Sequence, residues 1–243
     1  MHTVLIAKEE FELKILRNII IFVVIIAISL LGGISYKYSK NISLLKKDFS
    51  IVGVPYGFVF DMEQEFSPDM KLNQGVISVY DEKTRSFAAF GHPIIEDDND
   101  MPPEAVVLSF VGDNAGQFAG KVTRNTLVGC FGEFVSEYVP PVYKKMKLMH
   151  PNDIKEGKTI LLMMDETNTL KEYESTLSFN EEGFPLLISV DDKDFKGASK
   201  GASGSVVLQD GKITAIVCAG NKGENADVFY GITAYEVVEN MTK

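Results

Sequence analysis

Apolar residues fall into one long run near the N terminus and many short runs after it. No residue between Ile19 and Ile34 is charged, and most of this stretch is isoleucine, valine or another large apolar residue. From Phe49 onward, short apolar stretches alternate with turn-forming residues. The first pattern is typical of a membrane span and the second of β-strands. We therefore expect an anchored chain with one β-rich domain over residues 49–243.

The long apolar run is close to the ~20 residues that an α-helix needs to cross a bilayer. It predicts a transmembrane helix over residues 19–36, between a short tail (1–18) and a juxtamembrane linker (37–48). A cleaved signal peptide is the alternative, but its apolar region normally has only ~7 to 15 residues. Lysines flank the run on both sides, so the positive-inside rule does not fix the orientation. Our hypothesis is a single-pass membrane protein with an extracytoplasmic domain.

Short apolar segments in the second part predict β-strands. They are Ile51–Val54, Gly57–Phe60, Gly75–Tyr80, Ser86–Phe90, Ala105–Val111, Thr159–Met164, Ser175–Phe179, Leu186–Val190, Ser205–Leu208 and Ile213–Val217. Asp81–Thr84 and Gln209–Lys212 predict hairpin loops. The helical candidates are Asn114–Gln117, Gly132–Tyr138 and Ala234–Met241. Many short strands with glycine-rich turns favour an all-β fold, either a sandwich or one or two small barrels.

Charge and cysteine content exclude several functions. The chain has 24 Lys and Arg residues against 34 Asp and Glu residues, a formal net charge of −10, so we expect no nucleic-acid partner. Cys130 and Cys218 lack CxxC spacing, which argues against a zinc cluster and predicts buried thiols. The acidic run 96–100 lacks the glycine and glutamate of an EF-hand loop and is typical of a solvated loop. We expect no metal and no cofactor.

Histidine limits the choice of a general base. The chain has three histidines, and His2 precedes the apolar run. His92 directly follows an apolar strand in the segment Phe90–Ile94, whereas His150 lies in an ordinary connecting loop. A lone histidine is commonly a structural residue, so His92 becomes a catalytic candidate only beside a nucleophile.

A serine turn supplies the candidate nucleophile. Ser203 lies in Gly201-Ala202-Ser203-Gly204-Ser205, directly before an apolar strand. A tight turn of this kind can expose the hydroxyl while the backbone N–H groups of Gly201 and Ser203 converge as an oxyanion hole. The alternative is a flexible loop, because residues 196–205 are rich in Gly, Ala and Ser.

With both motifs present, the sequence resembles the stage IV sporulation protein B peptidase family, membrane-associated serine peptidases of spore-forming bacteria. Three ordered blocks carry the resemblance: Gly75–Asp81 with Ala89–Ile94; Asn125–Gly132; and Gly201–Ser205 with Asp210–Lys212 and Tyr230–Ile232. The resemblance implies a chymotrypsin-like double β-barrel. The family usually carries a PDZ domain, and the stretch from Lys47 to Gly75 leaves no room for one.

Residue by residue, the resemblance implies that Ser203 is the nucleophile and His92 the general base of an acyl-transfer reaction. For the third member we choose Asp192, with Asp191 second and Asp194 also nearby. An acidic surface turn is the other interpretation of this segment. The resemblance also implies a protein substrate: a membrane-bound regulatory protein, such as one that controls an intramembrane protease in sporulation signalling. Self-cleavage is compatible with it.

Two rival functions stay open at the level of sequence. One is a catalytically silent, membrane-anchored β domain that binds a protein partner. The other is an enzyme that acts only in cis, on its own linker around residues 41–50. The presence of both His92 and Ser203 favours an active enzyme, because a silent domain has no chemical need for either side chain.

Overall fold

The computed structural model describes residues 22–30, 32–33, 42–59, 73–90, 106–109, 116–165, 169–181, 183–196, 202–221 and 227–242. The chain divides into two units, Met1–Lys46 and Lys47–Lys243. In the first unit, residues 22–30, 32–33 and 42–46 are helical. Within the described ranges, no helix has both the length and the apolar character required to cross a membrane.

The second unit is built from β-strands and ends in a short helix, which confirms the all-β prediction. Its strands are β1 (Asp48–Val59), β2 (Asn73–Tyr80), β3 (Ser86–Ala89), β4 (Val106–Ser109), β5 (Phe118–Thr126), β6 (Gly129–Phe134), β7 (Lys144–Lys147), β8 (Gly157–Met164), β9 (Leu170–Phe179), β10 (Leu186–Val190), β11 (Val206–Gln209), β12 (Lys212–Gly220) and β13 (Val228–Thr233). The helix α1 spans Ala234–Met241, as predicted, and is capped at its N terminus by Thr233, whose side chain accepts a hydrogen bond from the Glu236 N–H at 3.2 Å.

The first barrel contains β1 to β6. Its strands are ordered β2-β3-β6-β5-β4-β1, and β1 pairs with β2 to close the ring. All pairings are antiparallel, and β7 extends the sheet beyond β1. Aromatic side chains fill the interior, with Phe87 and Tyr80 4.9 and 5.2 Å from the Phe134 ring.

The second barrel contains β8 to β13 and repeats the connectivity of the first. It closes in the order β10-β13-β12-β11-β8-β9. Each barrel joins its third strand to its sixth and its first to its fourth. The predicted His92 follows β3 in the first barrel, and Ser203 lies between β10 and β11 in the second.

Several predicted elements change in the structure. Ile51–Val54 and the described part of Gly57–Phe60, which ends at Val59, belong to one strand, β1. A register shift after Ile51 and the positive φ of Gly53 (66°) interrupt the alternation without ending the strand. The predicted helix over Gly132–Tyr138 is wrong. Its first residues complete β6, and Gly132 lies so close to the Phe87 ring that no side chain fits there.

The other changes concern elements that the sequence pattern did not predict. The strands β5, β6, β7 and β13 were not among the predicted ones. The helical candidate over 114–117 lies partly outside the described residues, and the part that is described, Gly116 and Gln117, is not helical.

A buried ion pair ties the start of β1 to the β2–β3 hairpin. The Asp81 side chain is 2% exposed and accepts a hydrogen bond from Lys47 Nζ. Burial opposes ionisation of this carboxyl, but the hydrogen bonds from Lys47, Thr84 and the Lys83 N–H outweigh it, so the pKa of Asp81 is lowered. The pair therefore stabilises the folded barrel most when Asp81 is ionised.

Candidate active site

Ser203 lies on a tight turn at the edge of the second barrel. The Ser205 N–H donates to the Ala202 carbonyl oxygen at 3.0 Å, which closes the turn. Gly204 has φ of 93°, a conformation that favours glycine. The turn is joined to β12, because the Gly204 N–H donates to the Val217 carbonyl and the Val217 N–H donates to the Ser205 carbonyl, at 2.8 and 2.9 Å.

The candidate nucleophile is partly exposed and already hydrogen-bonded. Ser203 Oγ donates to the Cys218 carbonyl oxygen at 2.8 Å. The hydroxyl therefore points toward β12 at Cys218, the residue after Val217, which pairs with the serine turn. To transfer its proton to a base, the O–H must rotate away from this carbonyl.

The candidate base follows a strained residue at the end of β3. Phe90 has φ of 71°, which is unusual for a bulky residue. Its N–H donates to the Val76 carbonyl oxygen at 3.3 Å, and its ring lies 5.0 Å from the Phe58 ring. His92 is two residues further on and lies outside the described residues, so its catalytic role stays a prediction.

The serine turn and the strand that leads to His92 meet on the same residue of β2, Val76. Gly204 packs against Val76 so closely that an added Cβ would overlap the Val76 carbonyl oxygen and lie 2.9 Å from its Cβ. That carbonyl also accepts the hydrogen bond from Phe90. Ser203 is one residue away from this contact along the chain, and Phe90, which shares the Val76 carbonyl, is two residues before His92 in the sequence.

The predicted acid and its neighbours are bound to the second barrel. Asp192 accepts hydrogen bonds from the Glu174 N–H at 3.2 Å and from the Asp194 N–H at 2.9 Å. Asp191 accepts from the Thr176 hydroxyl at 2.6 Å. A carboxylate can accept about four hydrogen bonds, so these contacts leave capacity at both residues. The choice of Asp192 as the third member stays a prediction.

An aromatic side chain anchors the segment between these aspartates and the serine. The Phe195 ring lies 5.1 Å from Tyr173 and 6.0 Å from Phe229, both of which belong to the core of the second barrel. The Phe195 N–H donates to the Asp192 carbonyl at 3.2 Å. The segment is therefore fixed at Phe195, and it is fixed again at the Ala202–Ser205 turn. Gly201, one of the two predicted oxyanion donors, lies between these points and outside the described residues.

Both cysteines are buried, as the sequence predicted. Cys130 is fully buried in the first barrel and Cys218 is 3% exposed in β12. Burial raises the pKa of the Cys130 thiol and raises that of Cys218 to about 12. Among the described residues, no group of His, Cys, Asp and Glu side chains could hold a metal ion. The acidic run 96–100 lies outside them.

Sequence reasoning missed the residues that join the two halves of this site. Gly75 and Phe90 appeared as members of predicted strands and of the blocks that carry the family resemblance, without a role of their own, and Val76 has no polar side chain to mark it. The available signals were the glycine at the start of an apolar strand and the phenylalanine directly before Gly91 and His92. Neither signal identifies its partner, because the contacts form only when the barrels close.

Comparison with solved structures supports the double-barrel architecture. A structure titled "HtrA-type protease AlgW with decapeptide" aligns with a TM-score of 0.50 at 12% identity and covers 84% of this chain. The chain spans 66% of the length of that protein. A Rv3671c protease in an inactive form aligns with a TM-score of 0.46 at 12% identity, covering 79% of this chain and 89% of the other. No curated protein matches the sequence.

The double barrel has the chymotrypsin-like fold, and a peptidase family model matches more than half of the chain, which defines the class of protein as a serine peptidase. The sequence model described as SpoIVB peptidase S55 matches residues 102–238. The chain belongs to the SpoIVB peptidase S55 family. The match contains Ser203 and Asp192 and begins after His92.

Proposed function

We propose that this protein is a membrane-anchored serine endopeptidase that cleaves a protein substrate through an acyl-enzyme intermediate. The observation that carries the proposal is the position of Ser203 on a turn that packs against Val76, the residue that also anchors the strand before His92. Membership of the SpoIVB peptidase S55 family supports the same chemistry.

The reaction proceeds in two steps. Ser203 Oγ leaves the Cys218 carbonyl and attacks the substrate carbonyl carbon, while His92 accepts the hydroxyl proton and Asp192 orients the imidazole. The backbone N–H groups of Gly201 and Ser203 stabilise the oxyanion. His92 then returns the proton to the leaving amine, and water hydrolyses the Ser203 ester with His92 again as base.

The membrane and the substrate form the second part of the proposal. Helical residues 22–30 expose large apolar side chains, including Phe22, Ile28 and Leu30, which suits burial in a bilayer through residues 19–36. We place the peptidase domain outside the cytoplasm. From the family we infer that the substrate is a membrane-bound regulatory protein, such as a regulator of an intramembrane protease in sporulation signalling.

A reporter assay tests the membrane arrangement. Alkaline phosphatase fused after Lys243 becomes active only outside the cytoplasm, whereas a green fluorescent protein fusion at the same place fluoresces only inside. We expect an active phosphatase and a dark fluorescent fusion in the membrane fraction. Activity of either reporter in the soluble fraction would contradict the anchor, and the opposite reporter pattern would contradict the orientation.

Fluorophosphonate labelling of the full-length chain in detergent tests the chemistry. The probe reacts with an activated serine, so we expect labelling of the wild type and none of Ser203→Ala or His92→Ala. Ser205→Ala is the matched control, because Ser205 lies two residues away and is buried; it should label like the wild type. A folded wild-type protein that does not label would favour the silent binding domain.

Mass spectrometry of the purified chain tests the cis-only alternative. The structure argues against cleavage in the second half of the 41–50 segment, because Phe49 and Ser50 are buried in β1 and paired with β7. We expect an intact chain in Ser203→Ala and, if self-cleavage occurs in the wild type, a cut before β1. Cleavage of an added peptide library by the wild type would exclude activity in cis alone.

A further inference from the structure

The start of β2 supports both halves of the proposed site through adjacent residues. Gly75 contacts the ring of Phe90, and the carbonyl oxygen of Val76 contacts both the Phe90 N–H and Gly204. All four residues lie in described segments, and Gly75 and Val76 also pair with Tyr56 and Pro55 of β1. Gly75 and Val76, which make these contacts, therefore belong to a strand of a closed barrel and not to a loop.

Phe90 is held in an unfavourable backbone conformation by its side chain. A Cβ added to Gly75 would overlap the ring of Phe90, so the ring occupies the space that any other residue at position 75 would fill. Phe58 packs against the same ring at 5.0 Å. A positive φ at a bulky residue costs about 1–3 kcal/mol and persists only when the surroundings enforce it. Here the ring contacts enforce it at the point where the chain turns from β3 toward His92.

The contact between Val76 and Gly204 connects the surroundings of Phe90 with the turn that carries Ser203. No side chain separates Gly204 from Val76, so the distance between the serine turn and β2 is fixed by backbone contact. Hydrogen bonds at 2.8 and 2.9 Å hold the turn to β12 from the other side. The turn that carries Ser203 and the residue Phe90, which precedes His92 by two positions, therefore contact the same carbonyl group, that of Val76.

We propose that Phe90 and Gly75 are positioning residues, which set the place of His92 relative to Ser203 through the Phe90 ring seated on Gly75. This inference rests on the proposed function, because it assigns a role in the proton transfer between these two residues. Misplacement of a catalytic group by about 1 Å can lower a rate about 100-fold, so a change of the ring contact should slow the reaction without touching a reacting atom.

Phe90→Leu tests the proposal, with Phe87→Leu as the matched control. Phe87 lies on β3, three residues before Phe90, and is fully buried in the same core, but Phe90 is the ring next to Gly75. Both substitutions remove a ring of the same size from the first barrel. The assay is fluorophosphonate labelling of the full-length chain in detergent, recorded as a rate constant and as a final labelled fraction over a range of pH.

The two readouts separate positioning from stability. A purely structural residue lowers the final labelled fraction, because some molecules stay misfolded, and leaves the rate constant of folded molecules unchanged. A positioning residue lowers the rate constant while the labelled fraction stays complete. We expect a rate about 10- to 100-fold lower in Phe90→Leu at the plateau of the pH profile and within about twofold of wild type in Phe87→Leu.

Gly75→Ala provides a second, independent variant. Its methyl group should displace the Phe90 ring and lower the rate by a similar factor. In a Phe90→Ala background the space is empty, so Gly75→Ala should then have little further effect on the rate. Such non-additivity assigns the effect to this contact.

Each outcome decides a different claim. A wild-type rate in both Phe90→Leu and Gly75→Ala would overturn the positioning role and leave the proposed function intact. An equal loss of rate in Phe87→Leu would overturn it as well, because any core defect would then suffice. If Phe90→Leu does not fold, Gly75→Ala decides alone. A wild type that folds but does not label would remove the proposed function and this inference together.

Discussion

Gly204 packs directly on Val76, and the absence of a side chain at Gly204 allows this contact. An added Cβ would overlap the Val76 carbonyl oxygen, and the φ of 93° also disfavours any other residue. The serine turn therefore depends on glycine for two separate reasons, one steric and one conformational. The two reasons can be separated by experiment.

Gly204→Ala should destabilise the protein more than Gly211→Ala. Gly211 has φ of 70° but open space around it, so its substitution incurs only the backbone cost of about 1–2 kcal/mol. Gly204→Ala also creates an overlap with Val76, and overpacking of this kind typically costs about 1–3 kcal/mol more. Urea denaturation of the wild type and both variants measures the difference. Equal losses in the two variants would show that the barrels can separate at this contact.

Asp192→Asn should abolish most of the activity if Asp192 orients His92. In a related triad, the same change lowers kcat about 10⁴-fold, because the imidazole adopts the wrong tautomer. Asp191→Asn is the control, since Asp191 binds the Thr176 hydroxyl at 2.6 Å and should affect mainly local structure. Fluorophosphonate labelling rates measure both variants. A large loss in Asp191→Asn with little change in Asp192→Asn would transfer the role to Asp191.

Neither cysteine should react with a thiol reagent in the native protein. Burial raises the pKa of Cys218 to about 12 and raises that of Cys130 too, so the thiolate fraction at pH 8 is about one in ten thousand for Cys218. Titration with Ellman's reagent should detect almost no thiol before denaturation and two per chain afterwards. Rapid native reaction of Cys130 would contradict the burial of its thiol.

Asp81→Asn should lower stability at neutral pH and matter less in acid. The change removes the buried carboxylate that pairs with Lys47, at a cost of about 1–3 kcal/mol. Because the pKa of Asp81 is lowered by folding, its ionised form stabilises the protein above the unfolded pKa of about 3.9. This contribution is lost as the pH falls from there through the lower, folded pKa, where the wild-type carboxyl is also protonated.

Urea denaturation at pH 7, 5 and 3 measures this trend. Glu82→Gln serves as the control, because Glu82 pairs with Lys145 at 2.6 Å in an exposed position. Exposed pairs contribute about 0–1 kcal/mol, so this variant should differ little from the wild type at pH 7. A cost of Asp81→Asn that is equally large at pH 3 and pH 7 would contradict a role for its charge.

The sequence predicted the parts of the fold that have a local signature. The strand β10, which has one buried face, shows the alternation that identifies such strands, whereas β2 was predicted from a short apolar run and is buried on both faces from Gly75 to Tyr80. The Asp210-Gly211 turn was predicted from its dipeptide, and both residues have the positive φ that it requires, 50° and 70°. The strand β5 was not predicted, because Lys121, Thr123 and Arg124 on its outer face dilute the apolar pattern.

The candidate site, like the fold, could be predicted from the sequence only where it has a local signature. Ser203 was chosen from a short motif, and the structure places it on the tight turn that the motif predicts. The contacts of Phe90 with Gly75 and of Gly204 with Val76 could not be predicted, because they join segments that are distant in sequence. They depend on the closure of one barrel and on its packing against the other, and no local periodicity encodes either event.

The repeated strand order of the two barrels also bears on when the protein acquires its activity. During synthesis the N-terminal barrel, with the segment that carries His92, leaves the ribosome well before β11 and β12, which hold the Ser203 turn. In the proposed mechanism the base and the nucleophile come from separate barrels, so neither barrel alone would contain a complete site. On the proposed mechanism we expect a nascent or truncated chain to be proteolytically inert, so that only the complete double barrel would cleave other proteins.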